Sequence, residues 1–131
     1  MSETINSKII VDPTRYFEVN GEKCKLLCAP LVLSVANDQQ LIAAVTGKII
    51  RVMGMILQCS SATVGNITFE NGSGGSDLFG PLNIPPSTAG DTFQLPIFES
   101  GYFETSSGTG LYGDVVTGGI LASLFYITYT P

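Results

Sequence analysis

From residue 48 onward the chain is a succession of short apolar, β-branched and aromatic runs, broken at regular intervals by Gly, Pro, Asn and Ser. The runs cover residues 48–58, 66–70, 78–84, 92–97, 101–105, 111–117 and 120–129, with breaks at 71–76, 85–91, 99–101, 106–110 and Gly118-Gly119. Strand-length runs at this spacing belong to sandwiches and barrels. Parallel strands need crossover connections of about a dozen residues or more, usually helical. The gaps here are too short for that, so an all-β, antiparallel β-sandwich is expected.

Two runs add a further constraint. In 48–58, the residues Ile49, Ile50, Val52, Met53, Met55, Ile56 and Leu57 leave almost no polar face. In 120–129, Ile120, Ala122, Leu124 and Tyr126 fall on one face and Leu121, Phe125, Ile127 and Tyr129 on the other. A strand in a two-layer sandwich has one wet face. Two dry faces imply a contact with another subunit or cover from the amino-terminal segment, unless outward Tyr and Thr simply tolerate solvent. For the subunit contact the candidates are Ile120, Leu124, Phe125 and Tyr126.

The first part of the chain is patterned differently. Residues 1–28 read as an extended arm or edge strand and 29–131 as the sandwich domain. Scattered charges, the apolar Ile9-Ile10-Val11, Pro13 and the turn-like Asn20-Gly21 occupy the start. Residues 23–36 are apolar, but Pro30 allows only an edge strand or a bend there. Residues 37–40 look like a turn, and 34–45 have the propensity for a short helix that Val45-Thr46-Gly47 would end.

A chain of 131 residues is expected to build one hydrophobic core. Charged residues are 13% of it, about half the usual share of roughly 25%. So sparse a charge suits a surface covered by copies of itself or by a partner. All six basic residues lie in residues 1–51, against five acids, for +1; the remaining 80 residues hold six acids and no base, for −6. Phosphate backbones and anionic membranes need clustered Lys and Arg, so nucleic-acid and membrane binding are disfavoured. No run reaches the roughly 18–20 apolar residues of a membrane span. Residues 1–10 lack the basic start and apolar core of a secretion signal, so synthesis in the cytoplasm is expected. The odd cysteine count (Cys24, Cys28, Cys59) argues for free thiols over a disulfide framework.

Catalytic patterns are sparse. The chain contains no histidine, which removes the commonest general base and a common metal ligand. Cys24, Cys28 and Cys59 are one ligand short of a structural zinc site. Gly72-Ser73-Gly74-Gly75-Ser76 lacks the Lys-Ser/Thr and helix of a phosphate loop and reads as a hairpin turn. Thr46-Gly47-Lys48 reads as a strand entry. Asp77, Asp91, Glu99, Glu104 and Asp114 lie in or beside loops, without the spacing of a calcium loop or support for a glycosidase pair. The sequons Asn66-Ile67-Thr68 and Asn71-Gly72-Ser73 are short enough to arise by chance. A protein without enzymatic activity, cofactor or metal is expected.

The block from Ala44 to Tyr129 resembles the small jelly-roll or β-sandwich cement (decoration) and head-fibre proteins of tailed-phage capsids. The matching stretches are Ala44-Val45-Thr46-Gly47-Lys48-Ile49-Ile50-Arg51-Val52, Asn66-Ile67-Thr68-Phe69, Phe79-Gly80-Pro81-Leu82, Leu95-Pro96, Gly101-Tyr102-Phe103-Glu104-Thr105 and Gly118-Gly119-Ile120-Leu121. They cover about two thirds of the chain and form a strand-and-turn pattern, not a catalytic signature. The resemblance implies a jelly roll that forms oligomers, often trimers, on the virion's capsid surface and clamps neighbouring copies of the major capsid protein. On that footing Arg15, Lys23 and Lys25 are the arm residues expected to meet the capsid. The alternative is a carbohydrate- or receptor-binding sandwich of a fibre or tail, with Tyr102, Phe103 and Tyr112 as stacking platforms. The lack of Trp weakens that alternative, and small size weakens a third, a major shell subunit.

Overall fold

The computed structural model describes residues 15–131. Ile9-Ile10-Val11 and Pro13 therefore lie outside the described residues. The strands are β1 (Tyr16–Val19), β2 (Glu22–Lys25), β3 (Leu27–Leu33), β4 (Ala36–Ile42), β5 (Ile49–Cys59), β6 (Gly65–Asn71), β7 (Asp77–Ile84), β8 (Phe93–Leu95), β9 (Phe103–Glu104), β10 (Leu111–Thr117) and β11 (Ile120–Tyr129). A single 3-10 turn, Ser87–Ala89, interrupts them.

One sheet runs in the order β3-β11-β5-β8, with β9 also on β5, and the second in the order β4-β10-β6-β7. Every pairing is antiparallel. The pairs β6·β7, β5·β8, β4·β10 and β3·β11 are nested along the chain. The domain is thus one long hairpin, turning around at 71–76 and rolled into two facing sheets. That is the jelly-roll form of the antiparallel β-sandwich.

The alternating residues between the sheets make the main core. Ile50, Val52, Met55 and Leu57 of β5 and Ile120 and Leu124 of β11 meet Ile67 and Phe69 of β6 and Leu111 and Val115 of β10. Phe103 fills the space beside Phe69 and Phe79, with ring centroids 5.2 and 5.0 Å away. Strict alternation along β5 breaks once. Phe125 pairs with Gly54 and Tyr126 with Val52, so Met53 is an extra residue. This β-bulge reverses the parity of β5. It sends Ile50 and Val52, then Met55 and Leu57, into the same core and turns Met53 outward. Gly54 belongs to that device, because a Cβ there would come within 3.0 Å of the Leu95 carbonyl oxygen.

The second dry face has its own cover. β1 and β2 form a hairpin that lies on the outside of the five-stranded sheet. Phe17, Cys24 and Leu26 close over Met53, Phe125, Ile127 and Tyr129. The arm is therefore a packed hairpin from residue 15 onward. A division at residue 28 would cut through β3, whose residues 27–33 pair continuously with β11.

Two local expectations are corrected. Within residues 34–45 the chain forms β4 (Ala36–Ile42), not a helix, because pairing with β10 buries Leu41 and Ile42 and tertiary burial overrides a weak propensity. The turn signal at 37–40 marks an irregularity within that strand. Asp38 has φ of 54°, and the register slips between Gly113 and Val115. Pro30 does sit in an edge strand, as its missing N–H requires.

Phe17 is 6% exposed at the centre of the outer cluster. Phe17→Ala is expected to lower the unfolding free energy by about 3 kcal/mol, measured by urea denaturation, with proteolytic cleavage concentrated before residue 27. An unchanged midpoint would show that the hairpin contributes nothing to the fold.

Candidate functional site

Three surfaces carry chemistry. The first is the hairpin. Arg15, Lys23 and Lys25 are exposed on it, and among the described residues none of the three makes an ion pair. The Arg15 guanidinium lies 4.8 Å from the Phe17 ring centre and the Lys23 ammonium 5.4 Å from that of Tyr16. The structure thus brings the three nominated bases together on one small element. The hairpin is fastened by Glu22. One of its carboxylate oxygens pairs with Lys48 Nζ at 2.6 Å, and the other accepts the Thr130 N–H at 2.8 Å. The Lys48 hydrogen bond, then the Thr130 amide, hold the Glu22 carboxyl below its ordinary pKa.

The second surface is the part of the same outer face that the hairpin does not reach. Pro30, Val32, Ile56, Gln58, Leu121 and Ser123 line a shallow depression of about 320 Å³ there. Val32 is 85% exposed and Leu121 38%. This placement corrects the interface read from sequence. Ile120 and Leu124 are fully buried between the chain's own sheets, and Phe125 lies beneath the hairpin. Tyr126 is half-buried against the main core. The side chains of Ile120, Leu124 and Phe125 are consumed within the chain. The exposed large apolar residues of this depression are Val32 and Leu121, which pair with each other across β3 and β11.

The third surface lies on the opposite side of the molecule. Asp38, Glu70 and Asp114, from β4, β6 and β10, bring carboxylate oxygens within 4.8 Å of one another. Ile67 and Phe69 enter the core, so alternation directs Glu70 to the outer face of the four-stranded sheet, yet it is only 7% exposed. Its Oε1 has no hydrogen-bond partner. Asp38 N–H donates to Asp114 Oδ1 at 2.7 Å, and Gly74 N–H donates to Asp38 Oδ1 at 2.8 Å. The glycine run 72–76 is the hairpin turn expected, but it also reaches back across the sheet to this cluster. Burial, followed by Asp114 and the charges of Asp38 and Asp77, pushes the Glu70 carboxyl up to about 7.

Of the five acids singled out in the sequence, only Asp114 belongs to this group. Glu104 is bound instead to Arg51 at 3.0 Å and to the Tyr129 hydroxyl. Asp38 and Glu70 carried no spacing signal, because sheet neighbours from different hairpin legs are far apart in sequence. Among the aromatics, Phe103 is buried, Tyr102 donates its hydroxyl to the Pro96 carbonyl, and Tyr112 donates to Gln40. Cys24 and Cys59 are buried, Cys28 is exposed, and all three are free thiols.

No protein-family model matches the chain, and no curated protein matches it.

A carboxyl whose folded pKa is depressed stabilises the fold above its unfolded pKa and loses that effect as pH falls through the folded value. The thermal midpoint of Glu22→Gln is therefore expected below wild type at about pH 7, with the gap narrowing as pH falls from about 5 towards about 3. A gap that stays constant down to that pH would show that the Glu22 charge is not what holds the hairpin.

Proposed function

We propose that this protein is a non-enzymatic structural component of an assembly: a jelly-roll module that packs against copies of itself and decorates the outside of a tailed-phage capsid. In this reading it is made in the host cytoplasm and finishes on the virion. As a trimer it stabilises the shell by clamping neighbouring copies of the major capsid protein. The observation that carries it is the divided outer face of the five-stranded sheet. The hairpin covers one half and presents Arg15, Lys23 and Lys25, while the other half leaves Val32 and Leu121 bare beside Pro30 and Ile56.

The two halves suit two different contacts. An apolar patch on a chain with only 13% charged residues favours association with an equally apolar surface, and a second copy supplies one. The bases suit an acidic shell surface, where they set orientation and on-rate. The sugar-binding alternative draws less support. Phe103 is inside the core, and the hydroxyls of Tyr102 and Tyr112 are engaged within the chain.

Light scattering on the full chain at tens of micromolar is expected to report a trimer, and Val32→Asp combined with Leu121→Asp a monomer of unchanged β-sheet circular dichroism. Co-sedimentation with the shells is expected to fall in the Lys23→Glu, Lys25→Glu double variant and with added salt. A wild-type chain that stays monomeric and does not sediment with shells would overturn the reading.

A further inference from the structure

We propose that Asp38, Glu70 and Asp114 form a binding site for one Ca²⁺ ion on the outer face of the four-stranded sheet. The inference does not rest on the assembly reading, since the site lies on the sheet opposite the hairpin and the apolar patch.

Proximity of the three acids would not carry this alone. The deciding observation is Glu70, which is 7% exposed, lies with its carboxylate beside those of Asp38 and Asp114, and carries an oxygen, Oε1, without a hydrogen-bond partner among the described residues. A buried polar atom without a partner costs free energy comparable to a lost hydrogen bond, and more for a charged group. Such groups are rare in folded proteins unless a water or an ion completes them. Among the described residues no cation does so: the ion pairs there are Lys48–Glu22 and Arg51–Glu104, and β4, β6, β7 and β10 contain no Lys or Arg.

The chemistry of the donors selects the ion. All are carboxylate oxygens, the hard ligands of Ca²⁺ and Mg²⁺, with no sulfur or imidazole to favour zinc. Ca²⁺–oxygen bonds run about 2.3–2.6 Å, so opposite oxygens around one ion lie about 5 Å apart. The observed limit of 4.8 Å fits within that. Ca²⁺ also accepts irregular geometry, whereas Mg²⁺ demands a near-ideal octahedron and retains its waters. The frame here is irregular, set by the left-handed backbone of Asp38 and the glycine turn whose Gly74 N–H reaches its carboxylate. The two backbone N–H bonds fix Asp38 and Asp114 through one oxygen each, which leaves the second oxygen of each carboxylate for the ion.

The test is calorimetric titration of the full chain at about pH 8 with CaCl₂ or MgCl₂, beside thermal melts in EDTA. A single-site Ca²⁺ isotherm is expected, and the melting midpoint should rise by about 5–10 °C at a hundredfold excess over Kd. Glu70→Gln removes the buried unpartnered charge, so it should melt in EDTA no lower than wild type while losing the Ca²⁺ response. Asp114→Asn should weaken binding at least tenfold. Absence of a saturable response up to about 10 mM CaCl₂, beyond the range of weak calcium modules, would overturn the site. So would an equal response in Glu70→Gln, an equal shift with NaCl of matched ionic strength, or Mg²⁺ binding as tightly as Ca²⁺.

Discussion

A sheet with two apolar faces cannot stand in water on one layer of cover, and much of this molecule follows from how the five-stranded sheet meets that requirement. Its inner face packs on the second sheet. Its outer face is met by Phe17, Cys24 and Leu26, which close over Met53, Phe125, Ile127 and Tyr129. The bulge at Met53 gives β5 a residue for each layer without shifting the strand. The hairpin is too small to be stable alone, and the central strands would expose large side chains without it. Each makes the other possible.

The same layering sorts the charges. Every base among the described residues lies on the hairpin or at the start of β5, namely Arg15, Lys23, Lys25, Lys48 and Arg51. The opposite sheet holds Asp38, Glu70, Asp77 and Asp114 and no base. A lopsided distribution along the chain thus becomes a polarity through the thickness of the sandwich. Lys48 and Arg51 are used to fasten the hairpin and β9 to the body, while the acids facing away have only one another, backbone amides and solvent.

The long-range pattern was legible because it is written in alternation. β5, β10 and β11 fall where apolar periodicity places them, and Pro30 marks an edge because a proline cannot donate in a ladder. Residues 36–42 do not read as a strand in the sequence because polar Asn37, Asp38, Gln39 and Gln40 mask a strand that pairing with β10 stabilises. The interface residues were misplaced for a related reason. Periodicity states that a face is dry, but not which element dries it, and a hairpin from the same chain satisfies the pattern as well as a second subunit. The carboxylate cluster was illegible in principle. Its three members meet through the sheet order β4-β10-β6, and nothing in the spacing of positions 38, 70 and 114 encodes that order.

The edges of both sheets also restrict how such a molecule can associate. An open edge strand with free N–H and C=O groups invites pairing with another chain. Here β3 carries Pro30, β7 carries Pro81, β8 is three residues long, and β4 is broken by the irregularity at Asp38. Each terminal strand is blunted by a device that natural sheets use against edge-to-edge addition. Growth by strand addition is thus opposed at all four edges, while the outer face around Val32 and Leu121 is left apolar and open. A contact between copies made through that face buries side chains and not backbone. Such a contact would give a closed ring where the rotation relating the copies closes, whereas edge pairing would leave a new edge open at every step.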